Sequence, residues 1–186
     1  MKRLLPEAYR RSSWSGGTTV ELAIFPPQAD YAQRDFLWRV SSASVELEES
    51  DFTALPDYDR LIATLEGEIQ LSHNGGAPLV LRPLEVHAFS GADATHSRGR
   101  CTDFNLMLRR GKAFGSMEPL RLSGSPVSLS PAEGETLLLY CVSGAAAISG
   151  TERFALCAGQ AVLAEAPAAL TLGGEAVLML CRIRLL

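Results

Sequence analysis

Residues Leu61–Phe89, LIATLEGEIQLSHNGGAPLVLRPLEVHAF, hold the pattern from which the rest of the chain can be read. Short apolar runs are separated by Glu66-Gly67, by Asn74-Gly75-Gly76 and by Pro83. Runs of this length between turn-forming residues read as β-strands, and Asn-Gly-Gly reads as a tight hairpin. Leu137–Ala164, LLLYCVSGAAAISGTERFALCAGQAVLA, repeats the arrangement. Gly67 answers Gly144 at an offset of 77 residues and Leu81 answers Leu156 at 75, a shorter turn in the second copy absorbing the difference. The repetition predicts a duplicated β-barrel unit.

Working outward, strands are expected over Thr19–Phe25, Leu37–Val45, Arg60–Leu65, Glu68–His73, Leu79–Arg82, Val86–Phe89 and Thr102–Arg109. A second series is expected over Leu120–Ser123, Thr136–Val142, Ala145–Ser149, Glu152–Leu156, Ala161–Ala164, Ala169–Leu172 and Ala176–Leu185, with a further hairpin turn at Gly173-Gly174. No stretch sustains a 3.6-residue apolar period, so the fold class is all-β. The expected division is 1–115 and 116–186. One copy is too small to bury much core alone, so the two are expected to pack as one body.

Hydrophobic residues at 47% and charged residues at 20% describe a globular chain, not a disordered one. A net charge of −4 gives no basic footprint for nucleic acid or an anionic membrane. The apolar runs fall far short of the ~20 residues a membrane helix needs. The amino-terminal MKRLLPEAYRRSSW has two leading basic residues but no apolar stretch of signal-peptide type, so a cytoplasmic address is expected. Cys101, Cys141, Cys157 and Cys181 sit in apolar segments without CxxC or Cys/His zinc spacing, which suits reduced thiols.

Cys101–Arg110, CTDFNLMLRR, holds the chemistry. In a strand, Phe104, Leu106 and Leu108 point one way, and Asp103, Asn105, Met107 and Arg109 the other. The second face is either a solvated surface or the lining of a concavity. The corresponding stretch of the second copy, around Val177, Leu178 and Met179, lacks this polar row. That contrast favours a concavity in the first copy, with the second as support.

Other clusters accompany it. Trp14–Glu21, WSGGTTVE, brings Thr19 and Glu21 after glycines that allow close backbone approach. Asp35–Ser44 places Arg39 two residues before Ser41, an arrangement able to fork a carboxylate. Leu55–Arg60 sets Arg60 at the head of a strand. His73, His87 and His96 are widely spaced, and the residue two after His87 is Phe89. A lone imidazole is poor metal chemistry, so no metal and no cofactor are expected, and His87 reads as a polar group bordering the pocket. No Ser/His/Asp or paired-carboxylate set stands out.

In order, WSGGTTVE at Trp14–Glu21, FLWRVSSA at Phe36–Ala43, DRLIATLEG at Asp59–Gly67, PLEVHAFSG at Pro83–Gly91 and DFNLMLR at Asp103–Arg109 resemble the HutD/Ves family. The family's Asn after the Trp, before three glycines, is absent; Ser15, Gly16 and Gly17 stand here. The resemblance implies a bicupin fold with no firmly established metal or enzyme activity. Members often accompany histidine-degradation genes and are proposed to bind an intermediate such as N-formylglutamate; the Ves branch is linked to cold and stress response.

The reading is therefore an all-β bicupin that binds a small anionic or zwitterionic metabolite and regulates histidine utilisation. Its candidate site residues are Trp14, Thr19, Glu21, Arg39, Arg60, His87, Asp103 and Asn105. Neither nucleic acid nor membrane is an expected partner, and a homodimer is left open. The alternatives are a metal-independent isomerase or hydrolase using Glu21 or Asp103 as base, and a stress-related interaction protein with a vestigial pocket.

Overall fold

The computed structural model describes residues 1–186. Its strands are β1 (Lys2–Leu4), β2 (Arg10–Trp14), β3 (Gly17–Phe25), β4 (Trp38–Val45), β5 (Glu49–Asp51), β6 (Tyr58–Glu66), β7 (Ile69–His73), β8 (Leu79–Leu81) and β9 (Val86–Ser90). They continue as β10 (Thr95–Arg98), β11 (Cys101–Arg109), β12 (Ala113–Ser123), β13 (Val127–Leu129), β14 (Glu135–Ser149), β15 (Arg153–Cys157), β16 (Ala161–Glu165) and β17 (Leu170–Leu185). One 3-10 turn, Pro6–Ala8, interrupts them, so the all-β class holds.

Arg10–Ala113 forms one compact unit. A six-stranded sheet runs β2-β3-β4-β11-β6-β9 and a four-stranded sheet β5-β10-β7-β8. The chain passes from the first sheet to the second where β6 meets β7, at Gly67. Gly67 has φ +79°, and a Cβ there would lie 2.4 Å from the Arg100 carbonyl oxygen, so only glycine fits the crossing. Ile62, Ile69, Leu71 and Leu81 form one core cluster, with Phe52 and Phe89 packed against it. Phe36, Leu55, Tyr58 and Met107 belong to another. The Tyr58 hydroxyl lies 2.9 Å from the carbonyl oxygens of both Arg34 and Phe36, tying segment 26–37 to the head of β6. That segment carries Tyr31.

Met1–Tyr9 and Phe114–Leu186 form the other unit. Its seven-stranded sheet runs β1-β16-β14-β17-β12, with β13 on β17 and β15 on β14. Leu137, Leu139, Ile148, Leu156, Leu172 and Leu178 sit in its core. The first nine residues, expected in the amino-terminal barrel, belong here instead. β1 pairs with β16, and the Tyr9 hydroxyl lies 3.0 Å from the carbonyl oxygens of Leu4 and Gly159.

Two further expectations are corrected. The turns expected near Gly144 and at Gly173-Gly174 are not turns: β14 and β17 are continuous and pair with each other from Glu135↔Arg184 to Ser149↔Thr171. Gly144 has φ +77°, and a Cβ there would lie 2.3 Å from the Glu175 carbonyl oxygen, the same constraint as at Gly67. Glycine inside a strand bends the ladder without ending it. The sheets are also open, with β2 and β9 at the edges of one and β1 and β12 at the edges of another.

The pairing pattern recurs between the units. β6 and β7 pair with β9 and β8 on one side and with β11 and β10 on the other. Successive halves of β14 pair in the same way with β16 and β15, and its full length with β17.

Candidate functional site

β11 lies between β4 and β6, and both of its faces are covered. Phe104, Leu106 and Leu108 are buried as an apolar face should be, but Asp103 and Asn105 are each only 5% exposed and Met107 4%. A solvated outer face is thereby excluded. Directly opposed residues in antiparallel strands project to the same side. Asp103 opposes Ala43 and Thr64, Asn105 opposes Ser41 and Ile62, and Met107 opposes Arg39 and Arg60. One further strand away, Thr19 opposes Ala43 and Glu21 opposes Ser41. The register therefore gathers chemistry from four strands onto one surface.

That surface lines a cavity of about 290 Å³. Trp14, Thr19, Arg39, Arg60, Asp103 and Asn105 all reach it. Tyr31, Phe52, Ser41 and Met107 line it as well. Glu21 stands behind Arg39 and touches it rather than the cavity. Trp14 is 41% exposed and marks the open side.

The two arginines are in different electrostatic states. Arg39 donates from Nε to Glu21 Oε2 at 2.7 Å and from Nη1 to Ser41 Oγ at 2.8 Å, and its guanidinium lies 4.4 Å from the Tyr31 ring centroid. Its charge is answered inside the protein. Arg60 is 6% exposed and has no carboxylate within ion-pair distance. It donates from Nη2 to Asn105 Oδ1 at 3.0 Å and lies against the rings of both Phe52 and Phe89, at 4.9 and 5.0 Å. Its Nε is buried without a partner. Burial lowers its pKa, but a guanidinium stays charged at any ordinary pH.

Asn105 relays between Arg60 and Asp103. Its Nδ2 donates to Asp103 Oδ1 at 2.9 Å, and the Ala43 backbone N–H donates to the same oxygen at 3.0 Å. Burial pushes the Asp103 carboxyl up to about 6, against the opposing pull of those two hydrogen bonds and of the charges on Arg60 and Arg39. A carboxyl with that affinity exchanges its proton close to neutral pH.

His87 is placed elsewhere than expected and does not line the cavity. His87 Nε2 meets His73 Nε2 at 2.9 Å, and His73 Nδ1 meets Thr95 Oγ1 at 2.8 Å. The His87 ring stacks on Phe89, and the Phe89 ring in turn lies 5.0 Å from the Arg60 guanidinium. Burial and then His73 lower the His87 pKa. No group of three or more His, Cys, Asp or Glu is arranged to hold a metal ion. Two imidazoles facing each other without a third donor do not fit the ligand set of a metal-binding cupin. Arg109 also leaves the cavity row: its Nη1 donates to the Arg34 carbonyl oxygen at 2.9 Å.

Fold and site together define a cupin-like β-protein whose cavity sets the charged and amide groups of Arg39, Arg60, Asp103 and Asn105 among apolar side chains. The HutD family model matches residues 6–180, and the chain belongs to that family. A conserved protein of unknown function from Pseudomonas aeruginosa PAO1 is similar over 99% of this chain and 97% of its own, at 28% identity and TM-score 0.84. HutD from Pseudomonas fluorescens SBW25 matches over 100% and 98%, at 21% identity and TM-score 0.80. A cupin 2 conserved barrel domain protein from Leptotrichia buccalis shares the fold over 94% and 91%, at 10% identity and TM-score 0.62. No curated protein matches the sequence.

Proposed function

We propose that the chain is a small-molecule-binding protein whose ligand is an organic anion held by Arg60. The observation that carries this reading is the Arg60 guanidinium: buried, cavity-facing, without a carboxylate partner, and with Nε unbonded. Leaving such a charge uncompensated costs several kcal/mol, roughly 3–5 in measured cases, which a bound carboxylate offsets. Guanidinium, amide and carboxyl donors recognise an organic acid better than a transition metal. The cavity is sized for a small metabolite. Family membership suggests an acidic intermediate of histidine breakdown such as N-formylglutamate, bound so as to regulate that pathway.

A second reading has one observation in its favour. Asp103, with its proton labile near neutrality, is equipped for acid–base turnover. We also infer that the two units descend from one duplicated cupin-like ancestor. The recurrent strand pairing and the matched constraints at Gly67 and Gly144 support this.

A thermal-shift series with formate, glutarate, L-glutamate and N-formyl-L-glutamate tests the main reading. At a hundredfold excess over Kd, a ligand adds about 2.7 kcal/mol. For a chain of this length that is a rise of roughly 5–11 °C. The rise should vanish in Arg60→Lys, which keeps the charge but loses the planar fork. No shift with any acid, or an equal shift in Arg60→Lys, overturns it. NMR of the incubated ligand separates binding from turnover.

A further inference from the structure

The cavity's charges form two sets, one closed and one open. Arg39 is matched by Glu21 at 2.7 Å. Arg60 and Asp103 stand at the two ends of the Asn105 relay, each with bonding capacity left over. A ligand carboxylate that reaches Arg60 adds a negative charge to a site where Asp103 supplies one already. Two carboxylates confined in one poorly hydrated site cannot both stay ionised cheaply.

Resting on the anion-binding reading above, we infer that the protein takes up its ligand together with a proton, Asp103 passing from carboxylate to carboxylic acid as the anion settles against Arg60. The geometry says which oxygen accepts the proton. Oδ1 already accepts from the Ala43 N–H and from Asn105 Nδ2. Oδ2 has no such bond, so the proton from solvent adds there. The new O–H donates to the ligand carboxylate, and no other bond is made or broken. Asp103 is a repulsive neighbour when ionised and a hydrogen-bond donor when neutral, so protonation converts an obstacle into a ligand contact. Because free Asp103 releases its proton at about pH 6, the uptake takes place across the neutral range.

The other groups facing this carboxyl do not supply the change. From β4, Arg39 is fixed on Glu21 of β3. From β6, Arg60 keeps its charge. Two residues back on β11, the Cys101 thiol is pushed up to about 12 by burial and by Asp103 itself, so it stays neutral. Tyr31, from segment 26–37, faces the guanidinium of Arg39. On β5, Asp51 is exposed and paired with His96 at 2.9 Å. The His73–His87 pair of β7 and β9 packs on Phe89 and does not line the cavity.

The test is calorimetry with N-formyl-L-glutamate, and with glutarate as the probe lacking the formamide, at pH 7.5 in phosphate and in Tris. These buffers differ in ionisation enthalpy, so the heat difference counts protons. Uptake of about one proton per ligand is expected, with affinity falling toward tenfold per pH unit between pH 6.5 and 8.5. Both acids are fully ionised there and contribute no protons. Asp103→Asn should bind with buffer-independent heat and pH-independent affinity. Binding without proton uptake overturns the inference and leaves the anion site standing. Uptake that persists in Asp103→Asn also overturns it, because the proton then goes elsewhere. No binding of either acid between pH 5.5 and 8.5 overturns the anion site, and the inference with it. If Asp103→Asn fails to fold, the wild-type buffer series and pH slope decide alone.

Discussion

Arg39 and Arg60 oppose the same residue, Met107, from opposite sides, yet their environments give them different work. Arg39 is one half of a buried pair with Glu21, so its removal leaves a buried carboxylate unanswered. Arg39→Met should therefore lower stability by about 3–5 kcal/mol, read by urea denaturation. An unchanged midpoint would show that the pair contributes nothing. Asp103 sets the pH dependence of stability. Its pKa is higher folded, at about 6, than the ordinary 3.8, so the folded state binds the proton more tightly. Stability is then fully retained below about pH 4, declines as pH rises to 6, and stays reduced above it, by about 3 kcal/mol as an order of magnitude. Asp103→Asn should flatten that slope and be more stable than the parent at pH 7.5. Denaturation at pH 5 and 7.5 checks both, and a slope unchanged in the variant would assign it to another group.

Among the elements, Gly67 and Gly144 do one job in two places, admitting the carbonyl oxygens of Arg100, just before β11, and of Glu175 in β17. Gly75 supplies a control: its φ of +72° is similar, but nothing lies within 4 Å of an added Cβ. Gly75→Ala should cost only the backbone term, about 1–2 kcal/mol. Gly67→Ala and Gly144→Ala should each cost clearly more, since backbone must move. Equal chemical-denaturation losses at all three sites would refute the steric argument. These glycines also explain what the sequence hid. β11, β6 and the Asn74-Gly75 hairpin are legible because alternation and turn chemistry agree. β14 and β17 read as broken because their glycines look like turns until the carbonyls across from them are seen. β2, β5 and β10 are short and polar, with no apolar period to announce them. Of the six candidate residues that share the cavity, Arg39, Asp103 and Asn105 are legible because alternation along β4 and β11 puts them on one side, whereas Trp14, Thr19 and Arg60 join them through the register of neighbouring strands. Tyr31 and Phe52 were not legible, because they arrive from a segment between strands and from beside an edge strand. His87 does not reach the cavity because its ring is held by His73, from a different sheet, a contact that the segment around His87 does not announce.

For the molecule as a whole, the same strand-pairing scheme produces a cavity in one unit and a filled core in the other. Where Asp103 opposes Thr64 and Asn105 opposes Ile62, Leu178 opposes Cys141 and Leu180 opposes Leu139. Where Met107 opposes Arg60, Arg182 opposes Leu137. All of Leu137, Leu139, Cys141, Leu178 and Leu180 are buried in one apolar cluster. Side chains there pack as an apolar core, and Arg182, held by Glu135 at 3.2 Å, is the row's one charged donor. A ligand slows amide exchange only through openings that would release it. Without denaturant, exchange in the presence of N-formyl-L-glutamate should therefore slow in β4, β6 and β11, where the cavity-lining side chains arise. Rates in β14 and β17 should stay as they were. Arg60→Lys should abolish the slowing, which separates occupancy of the site from nonspecific stabilisation by salt. Slowing in β14 and β17 with none in β4, β6 and β11 would place the ligand in the wrong unit and refute the division of labour argued from these rows.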